Sequence, residues 1–157
     1  MGFFSSYVGH LERRQFVPRP RSAVFAFFSD AANLETLTPA FLKFHILTPR
    51  PIAMQPGTRI DYELTLAGIR FHWQSLIEQF EPEARFVDVQ LRGPYRRWHH
   101  EHIFEEDAGG TWVIDRVDYE MPLGLLGRAV HALWVKRSLA GIFAFRAVKM
   151  QELFGSR

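Results

Sequence analysis

The chain has 157 residues, 47% hydrophobic and 15% aromatic with fifteen Phe, and a formal net charge of +2. The length favours one domain, residues 1–157, and the composition excludes a disordered chain. Acids and bases interleave, so no basic block marks a nucleic-acid surface. With no cysteine the chain has no disulfides, no thiolate metal site and no Cys nucleophile.

Met1-Gly2-Phe3-Phe4-Ser5-Ser6 carries neither a basic region nor a long apolar run, so no signal peptide is expected. Tyr7 to Val17 reads as a strand that Pro18 and Pro20 end. Ser22 to Ser29 reads as a short helix with Val24, Phe25, Phe27 and Phe28 on its apolar face. A second short helix is expected over Ala31 to Leu37, with Asp30 as its N-cap and Thr38-Pro39 as its stop.

Phe44 to Thr48 predicts a strand, and Pro49 to Gly57 a loop. Thr58 to Ala67 alternates, with Ile60, Tyr62, Leu64 and Leu66 on one face. Gly68 makes a tight turn, after which Phe71, Trp73, Ser75 and Ile77 share a face. Arg85 to Arg92 is a further strand, broken by Gly93-Pro94. Two last strands join through Asp107-Ala108-Gly109-Gly110, which predicts a primed turn. Helical periodicity then runs from Gly124 to Phe154, with Leu139, Phe143, Ala147, Met150 and Phe154 on one stripe. Its most apolar part, Leu139 to Phe145, is flanked by charge and too short to span a bilayer, so no stable membrane insertion is expected. A chain without cysteine fits a reducing compartment, and the cytoplasm is the expected location.

The last hairpin carries the candidate chemistry. Val113, Val117, Tyr119 and Met121 make the odd positions of its second strand the inward face, which turns Asp115 inward too. On the first strand the even positions Trp98, His100, His102 and Phe104 are the better core face. A two-residue loop keeps both sets on one side of the sheet. In one simple register Asp115 lies opposite His102 and Tyr119 opposite Trp98. A carboxylate facing an imidazole fixes its tautomer and raises its pKa, so His102, Asp115 and His100 are the catalytic candidates. His100 and His102 at i, i+2, with Asp115, could offer three metal ligands. Inward histidines beside Trp and Phe are more often hydrogen-bonded cavity lining, so neither metal nor cofactor is expected.

The order of these pieces resembles the helix-grip fold of the SRPBCC (START-like) superfamily, in its bacterial polyketide cyclase/dehydrase and lipid-transport branch. The resemblance rests on Phe16-Val17-Pro18-Arg19-Pro20 leading into Val24 to Asp30, on Leu37-Thr38-Pro39, and on Pro56-Gly57-Thr58 with Tyr62. Gly93-Pro94-Tyr95, Trp98 to Phe104 and Asp115-x-Val117-x-Tyr119-x-x-Pro122-x-Gly124 complete it. It implies an α+β fold in which a curved antiparallel sheet of six to seven strands wraps a long C-terminal helix, with two short helices after the first strand.

It also implies a deep apolar pocket between sheet and helix, where relatives hold lipids, sterols, quinones or polyketides. The expected lining is Tyr62, Trp73, Trp98, His100, His102 and Phe104 from the sheet, with Val117 and Tyr119. Leu139, Phe143 and Met150 are expected from the helix. Three functions compete. One is a non-catalytic carrier or sensor of a hydrophobic small molecule. Another is a cyclase or dehydratase with His102 or His100 as base, Asp115 as orienter and Tyr119 as proton donor. The third is a peripheral module docking through Trp134, Arg128, Lys136 and Arg137.

Overall fold

The structure is a computed structural model that describes residues 7–122 and 124–156. The N-terminal hexapeptide read above lies outside the described residues. The strands are β1 (Tyr7–Val17), β2 (His45–Ile46), β3 (Arg59–Leu66), β4 (Ile69–Glu81), β5 (Arg85–Arg92), β6 (Arg97–Asp107) and β7 (Gly110–Met121). They form one antiparallel sheet in the order β1-β7-β6-β5-β4-β3-β2. Helix α1 (Arg21–Phe28) follows β1. Helices α2 (Gly124–Val130) and α3 (Lys136–Phe154) close the chain, joined by a π-helical turn at His131–Val135. This is the α+β helix-grip arrangement that the order of elements implies.

Apolar alternation along the strands turns one face of the sheet towards the long helix. Two register shifts, at Gln74/Ser75 and Ile77/Gln79, bend the thirteen-residue β4 around that helix. Near α1 the core is aromatic: Phe25 meets Phe80, Phe86 and Phe104 edge to face, contacts of about 0.5–1.5 kcal/mol each. Asp30 caps the following turn, its Oδ1 accepting from the Ala32 N–H at 3.0 Å.

Three local expectations are corrected. The segment after Asp30 is a single 3-10 turn, Ala31–Leu34. The strand expected over Phe44 to Thr48 shrinks to His45–Ile46, because the Leu47 and Thr48 amides both turn to the one carbonyl of Asp61 and the ladder ends there. The β6–β7 turn has a positive φ only at Gly109 (82°), so it is not the primed turn expected; the pair of positive φ values lies at Ala67 (49°) and Gly68 (77°), between β3 and β4.

Gly110, at the start of β7, is required by close approach. A Cβ there would collide with the Val17 carbonyl oxygen, which is backbone and cannot step aside. Gly110→Ala is expected to lower the unfolding free energy by about 3 kcal/mol, read from urea denaturation.

Candidate functional site

Register builds the site. Opposite β6, β7 places Asp115 across from His102 and Tyr119 across from Trp98, as the two-residue loop requires. On the other side of β6, β5 places Asp88 across from His100 and Phe86 across from His102. The polar contacts then run diagonally. His100 Nε2 lies 2.8 Å from Asp115 Oδ1, and His102 Nε2 lies 2.8 Å from Asp88 Oδ2. The two imidazoles stack, with centroids 3.8 Å apart and planes at 33°. From α3, Arg146 donates to Asp115 Oδ1 at 3.2 Å, its guanidinium lying over the Phe28 and Phe143 rings.

Two carboxylates, two imidazoles and a guanidinium therefore share a nearly dry site. Their side chains are exposed by 4% at His102, 7% at Asp115, 9% at His100, 11% at Arg146 and 18% at Asp88. Burial pushes the Asp115 carboxyl up, but Arg146 and the two histidines outweigh it and hold the group well below the usual carboxylate range. Asp88 follows the same pattern less strongly: burial raises it, and His102 and His100 bring it down. Burial lowers the His102 imidazole, yet Asp115 and Asp88 prevail and leave it above its ordinary value. His100 goes the other way, because burial and the neighbouring His102 outweigh its carboxylates. The cluster thus favours two ionised carboxylates beside the Arg146 guanidinium, with His102 the more basic of the two imidazoles and His100 the less basic.

This arrangement has chemical consequences. His100 presents Nε2 to Asp115, and its Nδ1 has no hydrogen bond, 3.7 Å from Asp88 Oδ2. Beyond Asp88, Tyr62, Ser75 and Trp73 form a second polar group. Ser75 Oγ accepts from Trp73 Nε1 at 3.1 Å and pairs with the Tyr62 hydroxyl at 3.0 Å. Burial, then Asp88, push the Tyr62 phenol far up, so it stays a protonated donor.

Both groups face a cavity of about 190 Å³ between β3–β6, the segment after α1 and the middle of α3. Of the residues expected to line a pocket, Tyr62, Trp73, Trp98, His100, His102, Leu139 and Phe143 border it. Its walls are ring stacks: Tyr62 lies nearly parallel to Trp73, and Trp98 meets Trp73 edge-on at 5.3 Å.

Four expected lining residues do not border the cavity, and Asp115 sits behind the histidines. Phe104 and Met150 are consumed by the core around α1. Val117 and Tyr119 pack with Met121, Val135, Leu139 and Phe143 in a core cluster between sheet and helix. The Tyr119 hydroxyl is bonded to His131 Nε2 in the π-helical turn, so the role of proton donor to a pocket ligand does not fit it.

The burial of His131 makes stability depend on pH. Burial, and then the Lys136 charge, push the His131 imidazole below its ordinary value. As pH falls below about 6.5 the unfolded chain takes up this proton first. The stability held above that pH is therefore lost as the pH drops towards the lower folded pKa. Comparing unfolding free energies at pH 8 and pH 5.5, wild type is expected to lose more than His131→Gln; equal losses would contradict the assignment.

Two members of the site were not among the candidates. Asp88 follows Phe86 by two positions and so shares its inward face, a spacing visible in the sequence. Arg146 lies three residues after Phe143 and four before Met150, on the same helical stripe.

A family model described as polyketide cyclase / dehydrase and lipid transport matches residues 17–141. The chain belongs to that family. No curated protein matches it in sequence. Among solved structures it is similar to TTHA0849 from Thermus thermophilus, at 17% identity and a TM-score of 0.72, covering 92% of this chain and 95% of that one. The Zhui aromatase/cyclase from Streptomyces sp. R1128 aligns at 19% identity and a TM-score of 0.69, over 94% and 96% of the two chains. Major latex-like protein 151 from Panax ginseng aligns at 10% identity and a TM-score of 0.68, over 94% and 97%. At these identities the likeness is one of fold.

Proposed function

We propose that the protein binds a hydrophobic small molecule between the sheet and α3, as a non-catalytic carrier or sensor in the cytoplasm. The cavity carries this reading: aromatic rings wall it and one cluster of buried charge marks one end. An engineered cavity of about 150 Å³ holds benzene, so a space of this size suits a planar molecule of one or two rings. Such a ligand, of the quinone or small polyketide kind, would lay its rings between Tyr62, Trp73 and Trp98. An oxygen at its leading edge would meet the His100–His102 end. A lipid or a sterol needs the walls to open. Among the described residues no helix is long and apolar enough to cross a membrane.

A second reading, a cyclase or dehydratase, draws on one observation. His100 has an unbonded Nδ1, a neutral ring and an Nε2 anchored on Asp115, which is the equipment of a general base. Tyr62 replaces Tyr119 as the available donor.

Two measurements separate these readings. In displacement titrations, 1-naphthol and 1,4-naphthoquinone are expected to bind saturably and cholesterol not to bind; no saturable binding by either bicycle would end the carrier reading. Incubated with a poly-β-ketone substrate mimic, the wild type is expected to show no turnover above a His100→Ala control. Turnover that this substitution abolishes would favour the enzyme.

A further inference from the structure

Three donor atoms converge on the cavity side of the cluster. Asp88 Oδ2 is 2.8 Å from His102 Nε2 and 3.7 Å from His100 Nδ1. One ligand atom from each of Asp88, His100 and His102 lies within 4.8 Å of the other two. Donors held at about 2.0–2.2 Å from one first-row cation sit roughly 3.0–3.5 Å apart, between the two measured separations. We infer that Asp88, His100 and His102 form a binding site for a divalent first-row transition metal, with its remaining coordination positions open to the apolar cavity.

The donor set is two imidazoles and one carboxylate, which suits Zn2+, Fe2+ or Co2+ and not Ca2+ or Mg2+. What lies behind the rings supports it further. A metal-bound histidine holds its other ring N–H against a carboxylate, which fixes the tautomer and the ring plane. Here one carboxylate oxygen lies behind both rings: Asp115 Oδ1 is hydrogen-bonded to His100 Nε2 at 2.8 Å and stands 3.1 Å from His102 Nδ1 without a hydrogen bond to it. Arg146 at 3.2 Å balances the charge of Asp115, leaving Asp88 as the anion for the metal.

His102 adds an independent observation. With its Nε2 directed at Asp88, its buried Nδ1 has no hydrogen bond, since its approach to Asp115 Oδ1 is close but poorly aligned. An orphaned buried nitrogen of this kind calls for an explanation. A metal on Nε2 would fix the ring proton on Nδ1, on the side of the Asp115 carboxylate 3.1 Å away, where a small turn of the ring completes the bond. The sides of the cluster also differ in the right sense. Asp88, His100 and His102 border the cavity and Asp115 does not. A bound cation would thus present its open positions to a ligand oxygen and keep its supporting carboxylate out of reach.

The test uses Zn2+ and Co2+ on protein first dialysed against a chelator. Calorimetry is expected to give one equivalent per chain. Asp88→Asn and His100→Ala should each weaken binding by more than about 100-fold, and Asp115→Asn by about 10–100-fold, the loss typical of an outer carboxylate. His72→Ala should change nothing, although the half-exposed His72–Asp61 pair at 2.9 Å is the obvious surface competitor. A reading on the wild type alone covers variants that fail to fold. Co2+ is expected to shift the NMR signals of Trp98 and Phe143, whose rings lie 6.2 and 5.9 Å from the His100 ring, far more than those of Trp112. No binding, binding that survives both ligand substitutions, or shifts centred on His72 would overturn the inference.

Discussion

Arg146→Met is expected to lower the unfolding free energy by about 3–5 kcal/mol, the cost of leaving a buried charge without its partner. Arg146 is the main cation holding the Asp115 carboxylate ionised in a site that water barely reaches. Its removal leaves the two carboxylates Asp88 and Asp115 with imidazoles as their only near partners in the cluster. The guanidinium also packs its planar face over Phe28 and Phe143, 5.4 and 5.7 Å from the ring centres, a contact methionine reproduces only in part. Removing both charges should be less harmful than removing one, since a buried ion pair taken out whole costs little. Asp115→Asn combined with Arg146→Met is therefore expected to lose less than the sum of the single variants, with a coupling of about 1–3 kcal/mol in urea denaturation at pH 7. Additive losses, or an Arg146→Met loss below about 1 kcal/mol, would mean that the cluster is wetter than its burial implies.

Trp73→Ala is the second large expected effect, about 3–5 kcal/mol of stability. The indole is almost wholly buried, touches Tyr62, Tyr95 and Trp98, and donates to Ser75 Oγ. Its loss opens the wall of the cavity directly, so the damage comes with a change in selectivity. Displacement titrations are expected to show three- and four-ring ligands entering the variant and a weaker grip on 1-naphthol. An unchanged ranking of ligands would show that Trp73 does not form the wall that contacts them.

Much of this architecture was legible from local pattern. Alternation from Ile60 to Leu66 and from Phe71 to Ile77 assigns the inward face of β3 and β4 because period two leaves no other choice. A two-residue loop fixes the last hairpin, so the pairs His102–Asp115 and Trp98–Tyr119 follow by counting. The bonds themselves do not follow, because each imidazole pairs along a diagonal and the partner of His102 Nε2 comes from β5. Asp88 shows the limit of alternation: the pattern says that it points inward, while its acceptance there depends on two other elements, β6 and α3, supplying His100, His102 and Arg146.

Tyr119, Val117, Phe104 and Met150 illustrate a different limit. All four are buried, yet the cavity lies elsewhere, between β3 to β6 and the middle of α3. Where the helix touches the sheet, inward residues are core. That distinction is set by the crossing of helix over sheet and leaves no mark on either segment alone.

On the proposed function the space under Trp73 and Trp98 receives the ligand. This is tested most directly by following the four indole N–H signals by NMR while titrating 1-naphthol. Trp112 is an internal reference, since its indole donates to Asp107 at an exposed turn. Saturable shifts are expected at Trp73 and Trp98, with Trp112 unmoved. Static signals at Trp73 and Trp98, or an equal response at Trp112, would contradict it.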